Sequence, residues 1–242
     1  EAAIDWLRKQ GQKVAAKRSD REAKEGVIIA KTTADHKTGF VVCIACETDF
    51  VSKNAEFVAF AQSIADAAVS NNVKSSEELN AVSINGITVA DMINDKLASI
   101  GEKISVAKFE RLDAPFVASY IHGANRMGVL VALTAEAAEL GKDLAMQIAA
   151  MNPVAVDADS VPAETVARER AIIIDTMKED PKMAGKPEEM IVKIAEGKIA
   201  AFFKEQTLLA QSFVKDGSKT VGDHVKSVGD IKVTEFKRVA LG

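Results

Sequence analysis

The chain has 242 residues, which is enough for one or two domains with a hydrophobic core. Apolar residues make up 48% and charged residues 27%, a composition typical of a soluble globular protein. The formal net charge of −4 gives no overall attraction to nucleic acid or anionic membrane, and neither a bilayer-spanning apolar run nor a signal peptide is visible in the sequence.

The first predicted element is a helix in "EAAIDWLRKQ", followed by a basic stretch over residues 13–24. The basic side chains are Lys13, Lys17, Arg18, Arg21 and Lys24. A basic stripe can bind RNA, but acidic residues are interleaved here and aromatic residues are absent from the stretch. We therefore interpret residues 1–25 as a helix and a solvated linker or helix face.

Two strand-like runs around a turn follow in "GVIIAKTTADHKTGFVVCIAC", which predicts a β-hairpin. Cys43 and Cys46 have the Cys-x-x-Cys spacing of a redox pair or of half a zinc site. A zinc site needs a second ligand pair, and His36, His122 and His224 are scattered along the chain. Because strand residues three apart point to opposite faces, we interpret the cysteines as two small buried side chains, consistent with a reducing cytoplasm.

A helix is predicted from about residue 54 to residue 69, and the whole pattern then recurs in "APFVASYIHGANRMGVLVALTA" and "GKDLAMQIAAM". Gly39 matches Gly128 at an offset of 89, whereas in the helix Ile64 matches Ile148 at an offset of 84. The first copy therefore has five extra residues between strand and helix, in or beside "ETDFVSKN". A returning strand also recurs, because "GEKISVAKFERL" and "GDIKVTEFKRVAL" match at an offset of 127.

The connections differ between the two copies. The first carries "SSEEL" at the start of a helix, the turn "INGIT", and a second helix that Thr88 can cap with Asp91 three residues on. The second carries two helical stretches around "PKMAGKP", which predict an antiparallel helical hairpin that could project as an arm.

The predicted fold class is α+β, with two related subdomains, each a small antiparallel sheet with helices on one face, and an inserted antiparallel helical hairpin (coiled coil). The expected domains are residues 1–25 for the N-terminal helix and linker, 26–112 for the first core subdomain, 113–157 with 206–242 for the second, and 158–205 for the insertion.

The absence of familiar catalytic motifs from the sequence favours a binding protein over an enzyme. The sequence contains no phosphate-binding glycine loop, no dinucleotide fingerprint, and neither HExxH nor GxSxG. The non-repeated loops are therefore the candidates for binding, with Phe50 foremost. Its ring could fold back onto the neighbouring helix, or it could stay exposed and anchor a partner.

Five motifs in chain order closely resemble bacterial elongation factor Ts: "ETDFVSKNAEF", "SIGEKI", "SYIHGANRMGVLVAL", "GKPEEMIVKIAEGK" and "QSFVKDGSKTVG". The resemblance covers nearly the whole chain. It implies a guanine-nucleotide exchange factor for elongation factor Tu, active in translation in the cytoplasm, with no cofactor, no covalent chemistry, no direct nucleic-acid contact and no membrane. It also implies a core of two related subdomains and a protruding antiparallel coiled coil.

The resemblance further implies a partner-binding surface. The Asp-Phe pair of the family falls on Asp49 and Phe50, and is expected to insert into the GTPase domain of elongation factor Tu near its magnesium and phosphate sites. Contacts with that domain and with a second domain of the partner are expected from the remaining residues: Thr48, Val51, Ile100, Gly101, His122, Gly123, Phe213 and Val214. Lys215, after the last pair, replaces an apolar residue found in some members.

The family normally begins with a three-helix ubiquitin-associated-like domain, of which only "EAAIDWLRKQG" has a counterpart here. We expect most of that domain to be missing, so that the sequence is a fragment or a processed product. The alternative functions are a non-catalytic coiled-coil adaptor and an RNA-associated protein that uses the basic start. RNA binding through several lysines and arginines would weaken steeply with salt.

Overall fold

A computed structural model describes residues 20–183 and 185–242. The predicted N-terminal helix and residues 13–19 of the basic stretch lie outside the described residues. The described part forms two compact units. The first contains the described residues up to Ala149 together with Phe236–Gly242, and the second is Ala150–Glu235.

The elements alternate between strands and helices in an α+β arrangement. The strands are β1 (Glu25–Thr32), β2 (Thr38–Cys46), β3 (Ser83–Ile84), β4 (Ile87–Thr88), β5 (Ser105–Asp113), β6 (Phe116–His122), β7 (Met127–Leu133), β8 (Ser212–Phe213), β9 (Asp216–Thr220) and β10 (Val233–Ala240). The helices are α1 (Asp49–Ser52), α2 (Ala55–Ser70), α3 (Ser76–Ala81), α4 (Val89–Ile100), α5 (Ala138–Met151), α6 (Ala163–Glu179), α7 (Glu188–Gln206) and α8 (Val221–Val228).

The first sheet has the order β1–β2–β5, and both of its strand pairs are antiparallel. The predicted hairpin is confirmed, with Glu25 opposite Cys46 and Thr32 opposite Gly39. The returning strand is confirmed as β5, which pairs with β2 and makes it the central strand. Three strands give this sheet the independent stability that a lone hairpin lacks.

Strand β2 is buried on both faces. Val42 and Ile44 belong to the core beneath the helices, whereas Val41 and Cys43 belong to a second core on the opposite face. Cys46 lies in the first of these cores, so the two cysteines point to opposite faces as predicted, and both are free thiols. A continuous apolar run is the usual sequence pattern of such a two-sided strand.

Helix α2 covers the first sheet. Its N-cap is Asn54, whose side chain accepts hydrogen bonds from the amides of Glu56 and Phe57 at 2.8 and 3.2 Å. Its buried residues recur at helical spacing and pack into the core beneath the sheet: Phe57, Phe60, Ala61, Ile64, Ala65 and Ala68. The predicted helix from residue 54 onward is therefore confirmed.

The second sheet repeats this architecture with the order β10–β7–β6, and α5 buries Leu144 and Ile148. Gly141 brings this helix close to its sheet, since a Cβ built there would be 2.5 Å from Cβ of Ala118. The duplicated pattern of hairpin, helix and returning strand is thus present in both copies.

The two sheets pack face to face within the first compact unit. Their shared core contains Ile28, Ala30, Val41, Cys43 and Leu112 from the first sheet and Val117, Leu130, Ala132 and Val239 from the second. The backbone joins them as well, because the amide of Ile28 donates to the carbonyl of Asn125 at 2.8 Å and the Asn125 side chain donates back to the carbonyl of Ile28 at 3.1 Å. Each sheet therefore has helices on one face and the other sheet on the opposite face.

The second compact unit holds the two predicted helices, α6 and α7, on either side of residues 180–187. Arg170 and Glu196 form an ion pair between them at 3.2 Å, and Met177, Ala195 and Ile199 are buried. The description of these helices as a coiled coil stays a prediction. Helix α8 begins with a capping box, in which Thr220 and Asp223 each accept a hydrogen bond from the other's amide.

Candidate partner-binding surface

The surface predicted from the sequence begins in the connection between β2 and α2. Residues 47–54 make this connection in the first copy, whereas residues 134–137 suffice in the second. The extra length forms α1, a single turn whose four residues all keep part of their surface exposed. Phe50 is 84% exposed, so its ring does not fold back onto the neighbouring helix.

Asp49 lies beside Phe50 and makes an ion pair with Lys53, one turn further along the chain. The Lys53 ammonium is 2.7 Å from Oδ2 of Asp49. This hydrogen bond, together with the positive charge of Lys53, lowers the pKa of the Asp49 carboxyl. Asp49 is therefore a fixed negative charge next to an exposed aromatic ring.

A groove of about 310 Å³ joins two of the predicted sites. It is lined by Phe50 and Val51 on one side and by Lys96 and Ile100 on the other. Helix α4 ends at Ile100 because Gly101 adopts a left-handed conformation, with φ of 79°, and its amide donates to the carbonyl of Leu97. The structure thus brings Thr48–Val51 and Ile100–Gly101 together, although about fifty residues separate them in sequence.

Two carboxylates that the sequence analysis did not single out link these segments. Oε2 of Glu102 accepts hydrogen bonds from the amides of Glu47 and Thr48, both at 3.1 Å, and Oε1 accepts one from the Thr48 hydroxyl at 2.6 Å. In return, Oε1 of Glu47 accepts a hydrogen bond from the amide of Lys103 at 2.6 Å. Glu47 lies in the "ETDF" motif and Glu102 in the "SIGEK" motif. Their place in these motifs was the only feature of the sequence that could have pointed to them.

His122 and Gly123 lie at the end of β6, in the turn of the second hairpin, and outside the residues that line the groove. Both are exposed, and Gly123 has a positive φ of 62°. The Tyr120 hydroxyl lies 3.0 Å from Nδ1 of His122, and the two rings are tilted with centroids 5.9 Å apart. Tyr120 therefore orients the imidazole, a role the sequence did not indicate.

Phe213 and Val214 belong to the second compact unit and differ sharply in exposure. Phe213 is 3% exposed, and its ring stacks on His224 with centroids 4.2 Å apart. Val214 is 48% exposed. Of this predicted pair, Val214 is the side chain available on the surface.

Among the described residues of the basic stretch, Arg21 contacts this region. Arg21 makes an ion pair with Glu47 at 3.0 Å, and Nζ of Lys103 donates to the carbonyl of Arg21 at 3.0 Å. Part of the predicted solvated linker is thus attached to the connection that carries Phe50.

Within the described ranges, no group of three or more His, Cys, Asp or Glu side chains is placed to hold a metal ion. In the same part of the chain, no helix is long and apolar enough to cross a membrane.

Comparisons with known proteins agree with one another. The family described as "Elongation factor TS" matches residues 47–242. "Elongation factor Ts" of Christiangramia forsetii is 45% identical over 246 residues, which cover 100% of this chain and 88% of that protein. "Elongation factor Ts" of Flavobacterium psychrophilum is 46% identical over 244 residues, covering 99% and 87%. "Elongation factor Ts" of Methylococcus capsulatus is 43% identical over 245 residues, covering 100% and 82%.

Proposed function

The chain belongs to the elongation factor Ts family, and on that premise we propose that it is a guanine-nucleotide exchange factor for elongation factor Tu. The observation that carries the proposal is the exposure of Phe50, at 84%, directly beside the ion-paired Asp49. The ring sits on a connection that is longer than the second copy of the same fold requires.

An exposed phenylalanine forgoes about 1.5–3 kcal/mol of burial, which a pocket on a partner protein can recover. Aromatic side chains of this kind are frequent anchors of protein interfaces. The groove beside Phe50 also places Ile100, another partly exposed apolar side chain, next to the ring. An apolar wedge with a fixed carboxylate beside it suits insertion between elements of a partner.

The exchange itself requires binding energy and no covalent step. A nucleotide held at nanomolar affinity is bound by about 12 kcal/mol, much of it through backbone amides around the phosphates and through Mg²⁺. A protein that favours a partner state in which this site is distorted weakens nucleotide binding. By linkage, the nucleotide weakens binding of the exchange factor by the same factor.

In this mechanism the Phe50 ring enters the GTPase domain of elongation factor Tu near its magnesium and phosphate sites, and Asp49 enters with it. Thr48 and Val51 flank this pair. The other predicted residues supply contacts with the GTPase domain and a second domain: Ile100, Gly101, His122, Gly123 and Val214, with the buried Phe213 beside Val214. The exposure of Val214 and His122 supports their assignment to such contacts. The proposed location of this activity is the cytoplasm, where translation takes place.

The test is release of fluorescent GDP from elongation factor Tu in the presence of excess unlabelled nucleotide. Catalytic amounts of the protein are expected to accelerate release by orders of magnitude. A protein that binds elongation factor Tu and leaves the release rate unchanged would be an adaptor and not an exchange factor. Binding to RNA in place of elongation factor Tu, with a steep dependence on salt, would also contradict the proposal.

A further inference from the structure

The connection that carries Phe50 is held at its two ends and through Val51, which packs against the core of the first sheet. Helix α1 is a single turn, and an isolated turn is unstable because the cost of nucleation is not repaid. Phe50 itself is 84% exposed, so packing does little to fix its ring. The hydrogen bonds at the start of the connection can therefore help to set the direction in which α1 presents that ring.

We infer that Glu102 and Glu47 are positioning residues that hold the segment carrying Phe50 next to Ile100 and Gly101. This inference rests on the proposed function. Their carboxylates form a crossed clamp. Glu102 accepts three hydrogen bonds from Glu47 and Thr48, and Glu47 accepts one from the amide of Lys103. Each segment thus supplies a carboxylate to the backbone of the other.

The clamp acts on the residue that starts α1. Thr48 occupies the N-cap position of this helix, where a threonine hydroxyl usually accepts a bond from an amide of the first turn. Here that hydroxyl donates to Oε1 of Glu102 instead. The start of α1, two residues before Phe50, is consequently tied to the segment that follows Gly101.

The chemistry of the clamp requires a carboxylate at position 102. Two amides and one hydroxyl converge on its two oxygens, and all three act as donors. A glutamine offers a single acceptor oxygen, and its NH₂ group would face at least one of these donors. Hydrogen bonds to an ionised carboxylate are also stronger than those to a neutral amide.

The second copy of the fold has no counterpart of Glu102 in its sequence, although Glu47 matches Glu136 at the offset of 89. At the offset of 127 that aligns Ile104 with Ile231, the residue matching Glu102 is Gly229, which has no side chain. The matching connection is also shorter, at residues 134–137. Both copies fold into a hairpin, a helix and a returning strand, so the clamp serves the loop that bears Phe50 and not the shared architecture.

The test compares Glu102→Gln with a matched control, Glu78→Gln. Glu78 also uses a side-chain oxygen to accept a bond from a backbone amide, that of Lys74 at 2.8 Å, but it lies outside the residues that line the groove. Its one bond can pass to the glutamine carbonyl. Glu102→Gln is expected to slow catalysed GDP release about tenfold or more, and Glu78→Gln to change it less than twofold.

A local measurement separates positioning from loss of the fold. Amide hydrogen exchange at Thr48 is expected to speed up about tenfold in Glu102→Gln, while exchange at Val42 in the central strand β2 stays unchanged. Equal acceleration at both amides would show general destabilisation and would overturn the inference. So would an unchanged rate at Thr48.

A double variant shows whether Glu102 acts through the ring. In a Phe50→Ala background, adding Glu102→Gln is expected to slow GDP release less than twofold further, because the positioned group is gone. The same tenfold loss in both backgrounds would refute the positioning role. If the wild-type protein fails to accelerate GDP release, the proposed function is rejected, and this inference with it. If the wild-type protein accelerates release and Glu102→Gln accelerates it equally, only the inference is rejected.

Discussion

Gly39 and Gly128, which occupy the same position in the two copies of the fold, each lie against the other copy's sheet. A Cβ built on Gly39 would be 2.7 Å from Cγ1 of Val117, and one built on Gly128 would be 2.8 Å from Cγ2 of Ile28. Val117 and Ile28 are themselves separated by the same offset of 89 residues as the two glycines. The contact is therefore reciprocal, like the interface of a two-fold symmetric dimer, although it joins parts of one chain.

This reciprocity predicts that Gly39→Ala and Gly128→Ala destabilise the protein to a similar degree. In each variant the added methyl meets branched side chains of a closed core, and overpacking of this kind costs about 1–3 kcal/mol. Urea unfolding followed by circular dichroism measures the free energy of unfolding. Gly197→Ala is the control, because that glycine lies in α7 with nothing within 4 Å of its built Cβ, and the change is expected to stabilise by about 0.5–1 kcal/mol. Wild-type stability in both core variants would contradict the close sheet contact.

Phe50→Ala is expected to separate exchange activity from stability. The ring is 84% exposed, so its removal should change the free energy of unfolding by no more than about 0.5 kcal/mol. Loss of an aromatic anchor worth about 2 kcal/mol or more would slow catalysed GDP release at least about 30-fold. Phe57→Ala, only seven residues away but 1% exposed, should instead cost about 3–5 kcal/mol of stability. A Phe50→Ala protein that unfolds early would show that the ring belongs to the core.

Tyr120→Phe is expected to weaken binding to elongation factor Tu without affecting the fold. The change removes the hydroxyl that lies 3.0 Å from Nδ1 of His122 and leaves the imidazole free to reorient. A hydrogen bond of this kind contributes about 0.5–1.5 kcal/mol, so the dissociation constant should rise about two- to tenfold by titration calorimetry. In a His122→Ala background the same change should have no further effect. An equal loss there would place the role of Tyr120 elsewhere.

The buried cysteines predict a loss of stability at alkaline pH. Burial raises the pKa of the Cys43 thiol to about 11 and that of Cys46 to about 12, from an ordinary value of 9.0. Below pH 9.0 the thiols are protonated in both the folded and the unfolded chain, and the full free energy of unfolding is available. As the pH rises from 9.0 toward the folded-state pKa, the thiols of the unfolded chain ionise while the buried thiols stay protonated, so the free energy of unfolding falls. At pH 10 the loss is about 1 kcal/mol per thiol. Urea unfolding of the wild-type protein and of a Cys43→Ala, Cys46→Ala double variant at pH 8 and pH 10 isolates the contribution of the thiols. If the free energy of unfolding changes equally with pH in the two proteins, the prediction is wrong.

Local signals in the sequence predicted the elements well. Asn54 and Thr88 cap helices by accepting a hydrogen bond from a backbone amide two or three residues further along the chain. Because these bonds join near neighbours in sequence, the helix starts can be predicted without knowing the fold. The repeat then placed the returning strands, because a hairpin with one apolar face needs a third strand beside it. The run "FVVCIAC" indicated burial on both faces of β2, but it could not show that a second sheet covers the far face.

The candidate site was less predictable from sequence. The bonds between Glu102 and the Glu47–Thr48 amides join residues more than fifty positions apart, and nothing periodic marks either glutamate. Val214 lies in the turn that follows Phe213 at the end of β8, and the sequence did not show that Phe213 is buried while Val214 is exposed. The roles of the ten predicted contact residues stay predictions until binding is measured.

The position of Phe50 relative to β2 has a mechanical consequence. Cys46, four residues before the ring, is fully buried at the end of a strand that is hydrogen-bonded on both edges and covered on both faces. When a side chain presses into another molecule, the softer of the two bodies deforms. Under the proposed function, strand β2 would deform little when Phe50 enters elongation factor Tu, so the free energy of binding would act mainly on the conformation of the partner.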